Sequence, residues 1–200
     1  MKQLVVTLLF GLAWSVPAAA GEFNQRLNIG GAAPAWSGLP GVDDQKHSLA
    51  DYKDKPVVVI VFTCNSCPVA QDYEDRIIAF ARKHAGQVAL VAVNVNTIEE
   101  DRLPQMKARA KEKGYPFPYL YDETQKIAKE YGAEYTPEFF VLDKDRKVAY
   151  MGAMDDTSNA AQAKVNYLEN AVTAVLQGQK PSPAETLARG CRIRWERKRR

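Results

Sequence analysis

The chain has 200 residues, of which 46% are hydrophobic, and its 27 basic and 24 acidic side chains give a formal net charge of +3. This length predicts one domain of moderate size with a substantial core. Seven basic residues and one acidic residue lie within residues 189–200, so the rest of the chain is net acidic and excludes a broadly basic nucleic-acid-binding body. We interpret the basic end as a solvated tail.

The first twenty residues have the pattern of a secretory signal peptide. Lys2 supplies a positive start, residues 4–16 are apolar, and small residues at positions 18–20 precede Gly21. This segment is too short and wrongly flanked for a membrane span. We therefore predict cleavage after Ala20 and a periplasmic or secreted protein with no membrane span in its mature form. An uncleaved N-terminal anchor is the alternative. Export argues against nucleic acid as a partner.

Residues 21–55 are rich in glycine, proline and aspartate, which mark turns. Short strands are predicted at residues 35–39 and 46–49, and a brief helical turn at residues 49–53. This segment is expected to form a β extension ahead of the main sheet.

The strongest pattern in the chain begins at residues 57–62, an apolar run typical of a strand buried on both faces. Cys64 and Cys67 follow at once. A helix is predicted over residues 68–83, where apolar side chains recur every three or four positions. A second apolar strand at residues 87–95 completes a βαβ unit with parallel strands. The two cysteines therefore stand where a strand gives way to a helix.

This position has chemical consequences for both sulfurs. Unpaired N–H groups and the helix dipole stabilise a thiolate at the first turn, so the pKa of Cys64 is expected to fall. Cys67 lies one turn away and can reach the same sulfur. The alternatives are a structural disulfide or half of a zinc site, but a zinc site needs a second ligand pair and only Cys191 remains. We interpret the pair as a redox centre without a metal or cofactor.

The second half of the chain predicts three helices and a hairpin. One helix ends at Gly114, a short one ends at Tyr131, and a last one begins at Ser158 or Asn159 and ends at Gly178. Strands at residues 139–142 and 147–151 are expected to form an antiparallel hairpin.

The compact region is expected to span residues 21–180, with residues 181–200 as a C-terminal basic tail. Within this tail Cys191, Ile193 and Trp195 alternate with charged residues. A period of two predicts an added strand with one apolar face against the body. A disordered tail is the alternative.

This order of elements resembles the thioredoxin fold. The motif CNSC ends the first strand of the βαβ unit, and Thr136-Pro137 stands just before a later strand, where thioredoxin-like proteins carry a cis-proline. The leader from Ile29 resembles the alkyl hydroperoxide reductase/thiol-specific antioxidant (redoxin) branch. The segments FTCNSCPVAQDYEDR, FPYLYDETQKIAKEYGAEYTPEFFVLDKD and GCRIRW resemble a bacterial group of exported thioredoxin-like proteins. The resemblance covers residues 29–177. It implies an α/β protein with a central mixed β-sheet flanked by helices, an N-terminal β extension and a C-terminal basic tail.

By this resemblance, Cys64 is the attacking thiolate and Cys67 the resolving one. Pro137, if cis, sets the backbone beside Thr136 to pair with a substrate chain, whereas a trans turn proline is the alternative. The implied partners are protein or small-molecule thiols and disulfides, and a thioredoxin-type electron donor or acceptor. Cys191 is predicted to be a third redox thiol or an alternative disulfide partner, with an inert half-buried thiol as the alternative.

The sequence departs from thioredoxin at two positions. Thr63 replaces the tryptophan before the first cysteine, and Val58 replaces a buried aspartate that helps to deprotonate the resolving thiol. Glu138 is a candidate for that task, although a solvated glutamate is the simpler interpretation. The direction of electron flow stays open.

Three functions fit these features. The leading hypothesis is a thiol–disulfide oxidoreductase acting on exported proteins. The redoxin leader also suggests a thiol peroxidase, but Thr63 directly precedes Cys64 and no partner arginine can be assigned. A copper-binding assembly factor is the third hypothesis, although such factors use cysteines four apart with a distant histidine, and no histidine follows His84.

Overall fold

The structure, a computed structural model, describes residues 21–196. The predicted signal peptide at residues 1–20 and the basic residues 197–200 lie outside the described residues. Along the chain, the strands and helices are β1 (Leu39–Pro40), β2 (Lys46–His47), β3 (Val57–Phe62), α1 (Pro68–His84), β4 (Val88–Asn94), α2 (Leu103–Lys113), β5 (Tyr119–Tyr121), α3 (Lys126–Tyr131), β6 (Tyr135–Thr136), β7 (Glu138–Leu142), β8 (Val148–Gly152), α4 (Tyr167–Leu176) and β9 (Cys191–Arg192).

Five strands form the central sheet in the order β5, β4, β3, β7, β8. β3 lies in the middle, where it pairs in parallel with β4 and antiparallel with β7, so the sheet is mixed. All six residues of β3 are buried because both faces of the sheet are covered, as its continuous apolar run predicts. The predicted βαβ unit and the antiparallel β7–β8 hairpin are both confirmed.

Two cores pack against the two faces of the sheet. Side chains from α1, α2 and α4 meet Val59 and Val61 on one face. The other face, which includes Val58 and Ile60, is covered by α3 and the N-terminal leader. Complete burial of each such side chain contributes about 1.5–3 kcal/mol. The end of β3 and the start of α1 are therefore fixed between two packed layers, and this junction carries the cysteines.

The N-terminal β extension is present as a two-stranded antiparallel hairpin of β1 and β2. The strand predicted at residues 35–39 is wrong except at Leu39, and the strand predicted at residues 46–49 is two residues shorter. A 3-10 turn at Leu49–Tyr52 follows it. Trp36, Leu39 and Leu49 from this leader are buried in the same core as α3. The leader thus closes one face of the sheet.

The predicted start of the last helix at Ser158 or Asn159 is wrong, because α4 begins at Tyr167. Polar side chains hold the preceding segment in turns instead. The Asp156 carboxylate accepts hydrogen bonds from the backbone N–H groups eight and nine residues on. Arg76 donates to two backbone carbonyls at the start of the segment. These groups are satisfied without a helix. No helix within residues 21–196 has the length and apolar character to span a membrane.

Candidate active site

The end of β3 and the start of α1 bring Cys64 and Cys67 to one place. Cys67 is the N-cap of α1, and its sulfur accepts a hydrogen bond from the backbone N–H of Ala70 at 3.3 Å. Pro68 takes the first helical position, where a backbone N–H would have no partner inside the helix. The predicted position of the pair at a strand-to-helix junction is therefore confirmed. The free N–H groups at the start of α1 therefore act more directly on the Cys67 sulfur than on the Cys64 sulfur.

Thr136 lies against both cysteines, and Pro137 follows it directly. Their peptide bond is cis, as the resemblance implied. The Cys64 sulfur is 3.4 Å from the Thr136 hydroxyl oxygen, and the Cys67 sulfur is 3.1 Å from the Thr136 carbonyl oxygen. The fold thus brings together the four residues that the sequence assigned to catalysis.

A disulfide joins Cys67 to Cys191, with 5.9 Å between their Cα atoms. The bond therefore does not link Cys64 to Cys67, and Cys64 is a free, buried thiol. The cause is an antiparallel pairing of β9 with β6 that places Cys191 opposite Thr136. Because Thr136 also contacts both sulfurs of the motif, this register brings the third cysteine within bonding distance of Cys67.

The pKa of the Cys64 thiol is raised, whereas the sequence predicted a lowered value. Burial is the largest cause, since only 4% of the residue is exposed, and the negative charge of Asp101 adds to it. Hydrogen bonds from Thr136 and Ser66 act in the opposite direction. The helix dipole was the right consideration for a solvated cysteine, but Cys64 is removed from solvent in this state of the protein.

Asp101 is a residue of the site that sequence reasoning missed. Its carboxylate is fully buried and accepts hydrogen bonds from the backbone N–H groups of Asn65 and Ser66 at 2.7 and 3.0 Å. It also accepts from the Ser66 hydroxyl at 2.6 Å and from the side-chain amide of Asn96 at 3.2 Å. Asp101 therefore fixes the two residues between the cysteines. In the sequence it is one acid among three in a loop, with no pattern to distinguish it.

Glu138 is buried, so its interpretation as a solvated surface glutamate is wrong. Only 7% of it is exposed, and its carboxylate accepts hydrogen bonds from the backbone N–H groups of Glu134 and Tyr135 at 2.8 and 3.0 Å. Burial raises the pKa of Glu138 to about 7, and those two hydrogen bonds oppose the shift. This carboxyl group shapes the loop that leads into Thr136.

We expect Glu138→Gln to change how stability depends on pH. The folded chain keeps Glu138 protonated up to about pH 7, whereas its ordinary pKa is 4.5. The native protein therefore loses stability as pH rises from about 4.5 to 7, by at most about 3 kcal/mol. The glutamine variant lacks this loss, so its advantage over wild type appears at pH 8 and disappears at pH 4.

Urea unfolding at both pH values measures the effect, and Glu112→Gln, at a largely exposed side chain, is a suitable control. An equal difference between Glu138→Gln and wild type at the two pH values would contradict the assignment.

The part of the chain that the structure describes offers no set of side chains that could bind a metal ion. Residues 21–196 contain no cluster of three or more histidine, cysteine, aspartate or glutamate side chains able to hold an ion. The copper-binding hypothesis therefore gains no support from the geometry.

A strand-to-helix cysteine motif beside a Thr–cis-Pro peptide, on a mixed sheet flanked by helices, is typical of thioredoxin-like proteins with thiol-based redox chemistry. The sequence profile of the AhpC/TSA family matches residues 29–151. The chain belongs to the AhpC/TSA (redoxin) family, and it is an oxidoreductase. This family membership confirms the resemblance noted in the sequence.

Three relatives show the extent of the similarity. Thiol-disulfide oxidoreductase ResA from Geobacillus thermodenitrificans is 26% identical over 147 residues, covering 72% of this chain and 80% of ResA. The crystal structure of a hypothetical protein from Sinorhizobium meliloti has a TM-score of 0.80 and 34% identity, covering 86% of this chain and 97% of that one. A conserved protein from Geobacillus kaustophilus also has a TM-score of 0.80, with 36% identity over 86% of this chain and 95% of its own.

Proposed function

We propose that the protein is an exported thiol–disulfide oxidoreductase that works through Cys64, Cys67 and Cys191. One observation carries this proposal. The Cys67–Cys191 disulfide lies against the Thr136 carbonyl, and the free thiol of Cys64 is 3.4 Å from the hydroxyl of the same threonine. Three sulfurs around one cis-proline loop can pass a disulfide from one pair to another by thiol exchange. A structural disulfide alone does not require the third sulfur.

The proposed cycle begins with the reduced protein. The Cys64 thiolate attacks a substrate disulfide and forms a mixed disulfide, and one substrate thiol leaves. Cys67 then attacks Cys64, the second substrate thiol leaves, and the Cys64–Cys67 bond forms. Cys191 next attacks the Cys67 sulfur, so that the Cys67–Cys191 bond replaces the first one and Cys64 takes up the electron pair and a proton. The oxidised state described above is the product of this last step.

The substrates we propose are thiols or disulfides of exported proteins or small molecules. In the direction written above, a dithiol of a thioredoxin-type protein reduces the Cys67–Cys191 disulfide and becomes a disulfide itself, which closes the cycle; in the reverse direction the same partner accepts the electrons. The name of the relative ResA, a thiol-disulfide oxidoreductase, supports thiol–disulfide exchange as the reaction. Export rests on the signal-peptide pattern at residues 1–20, which predicts a periplasmic or secreted protein. Residues 21–180 would then form the redoxin domain, with residues 181–200 as its C-terminal extension.

Mass spectrometry of the oxidised full chain tests the relay. Wild type should give a Cys67–Cys191 cross-link with Cys64 free, and Cys191→Ser should give a Cys64–Cys67 bond in its place. Insulin reduction should be slower for Cys64→Ser than for wild type. A Cys191→Ser protein whose remaining two cysteines stay reduced under mild oxidants would exclude the relay.

A thiol peroxidase is the second candidate, and membership of the AhpC/TSA family favours it. Peroxide would be reduced by one thiolate, with a disulfide formed by a second thiol. Burial and the raised pKa of the Cys64 thiol weigh against this candidate in the oxidised state. Peroxide consumption with a thiol reductant, compared with insulin reduction on the same protein, discriminates the two activities.

A further inference from the structure

The segment from Gly190 to Glu196, here named the C-terminal strap, covers the cysteines. Its strand β9 pairs antiparallel with β6. Beyond that pair, the backbone N–H of Ile193 donates to the Glu134 carbonyl at 2.9 Å, and the Ile193 side chain is buried in the core beneath α3. The strap thus occupies the strand edge at Thr136, where a substrate segment would have to bind.

Two buried amides bind the backbone of the strap rather than its side chains. Asn96 accepts from the Arg194 N–H at 3.0 Å, and Gln125 donates to the Arg194 carbonyl at 2.8 Å. Gln125 also accepts from the Glu196 N–H at 2.9 Å. Both amides are at most 2% exposed. Because they recognise backbone groups, any extended segment could satisfy them, and they would lack these partners if the groove stood empty.

At two positions of the strap the groove does restrict which residue can fit. A Cβ atom on Gly190 would overlap the Thr136 carbonyl, so only glycine fits directly before the cysteine. The residue after the cysteine, Arg192, lies over the Tyr135 ring at 5.5 Å and 3.7 Å from the Glu134 carboxylate. The Arg192 and Glu134 side chains are 75% and 60% exposed, so these contacts favour a basic side chain only modestly.

We propose that the groove under the strap is the docking site for an extended cysteine-bearing segment of the partner protein, and that the strap is its built-in competitor. The groove selects glycine before the cysteine and a basic residue after it. This inference rests on the proposed function and names the segment that the thioredoxin-type electron partner presents to Cys67, the sulfur to which the strap's own cysteine is bonded. With the strap in place, Cys64 and Cys67 are 4% and 2% exposed, so exchange with a folded partner requires the strap to leave.

The test uses a full chain carrying Cys64→Ser and Cys191→Ser, in which Cys67 is the only remaining cysteine. A synthetic peptide with the strap sequence GCRIRWE is supplied as a mixed disulfide with thionitrobenzoate. The Cys67 thiolate attacks the peptide sulfur, the protein–peptide disulfide forms, and thionitrobenzoate leaves with the electron pair. Its absorbance gives the rate. The control peptides carry alanine in place of glycine, or glutamate in place of the first arginine.

We expect the alanine peptide to react about 10- to 100-fold more slowly than the parent, because its methyl group meets the Thr136 carbonyl. When Gly190→Ala is added to the protein, the strap no longer fits the groove and leaves it. We then expect the parent peptide to react faster than it does with the protein that keeps Gly190. Gly86→Ala, at an open position, should change nothing. The glutamate peptide should also be slower than the parent.

Equal rates for the parent and alanine peptides, or no acceleration by Gly190→Ala, would overturn the docking site. The small disulfide of thionitrobenzoate serves as the reference substrate. If it reacts normally while the peptides show no preference, the inference fails and the proposed function stands. If neither it nor any peptide reacts, even with the Cys191→Ser protein that keeps both Cys64 and Cys67, the proposed function fails too. Dimers in gel filtration, with rates that depend on protein concentration, would assign the groove to the strap of a second copy and also overturn the proposal.

Discussion

Cys67→Ser is expected to lower the rate of disulfide exchange by about 10³-fold or more, the scale of loss when a nucleophile is removed. Cys67 is the sulfur common to both proposed disulfides, whereas Cys64 and Cys191 each take part in one. Its sulfur also accepts the Ala70 N–H at the start of α1, which stabilises it as a thiolate and as a leaving group. Insulin reduction under turnover, in which the mixed disulfide on Cys64 must be resolved, measures the loss.

Cys191→Ser is the matched control for this prediction. It removes the same disulfide seen in the structure but leaves the Cys64–Cys67 pair, so we expect partial activity. Circular dichroism checks that both variants fold. Equal losses for Cys67→Ser and Cys191→Ser would show that the Cys67–Cys191 bond itself, and not Cys67 as a shared sulfur, is what the reaction needs.

Asp101→Ala is expected to lower the free energy of unfolding by about 3–5 kcal/mol. The substitution removes a buried acceptor and leaves the backbone N–H groups of Asn65 and Ser66, the Ser66 hydroxyl and the Asn96 amide without that partner. Urea unfolding measures the change. Asp75→Ala, at an exposed carboxylate on α1, should change stability little.

Asp101→Asn separates the charge of Asp101 from its shape. The amide keeps one oxygen for the two backbone N–H groups, but the negative charge that helps to raise the Cys64 pKa is gone. Alkylation of Cys64 by iodoacetamide should therefore reach its half-maximal rate at a lower pH than in wild type. An unchanged pH profile, with a stability close to wild type, would mean that Asp101 is structural only.

The sequence predicted the elements with strong local patterns. The apolar run at β3, the amphipathic helix α1, and Gly114 as the left-handed cap of α2 all depend on near neighbours, and all three are confirmed. The start of α4 was misplaced because Arg76, a residue far along the chain, satisfies the backbone of the preceding segment. The periodicity of apolar residues does not reveal such a long-range contact.

The sequence predicted which residues form the site but not which two cysteines are bonded to each other. Cys64, Cys67 and Thr136 follow from motifs, because each stands beside a recognisable strand or helix. The bond from Cys67 to Cys191 depends on the register between β6 and β9, two-residue strands too short for a sequence pattern to align. Asp101 likewise acts only after β3 and β4 have paired, so its role appears in the folded chain alone.

The bond between Cys67 and Cys191 spans 124 residues and so encloses most of the described chain. Four states, folded or unfolded and bonded or reduced, form a closed thermodynamic cycle. If the disulfide raises the free energy of unfolding by some amount, folding must make the disulfide harder to reduce by the same amount. A loop of this size implies roughly 5 kcal/mol in the chain-entropy model, or roughly 100 mV. The reduction potential of this pair is therefore set by the packing of the whole protein, and a substitution in either core can shift it.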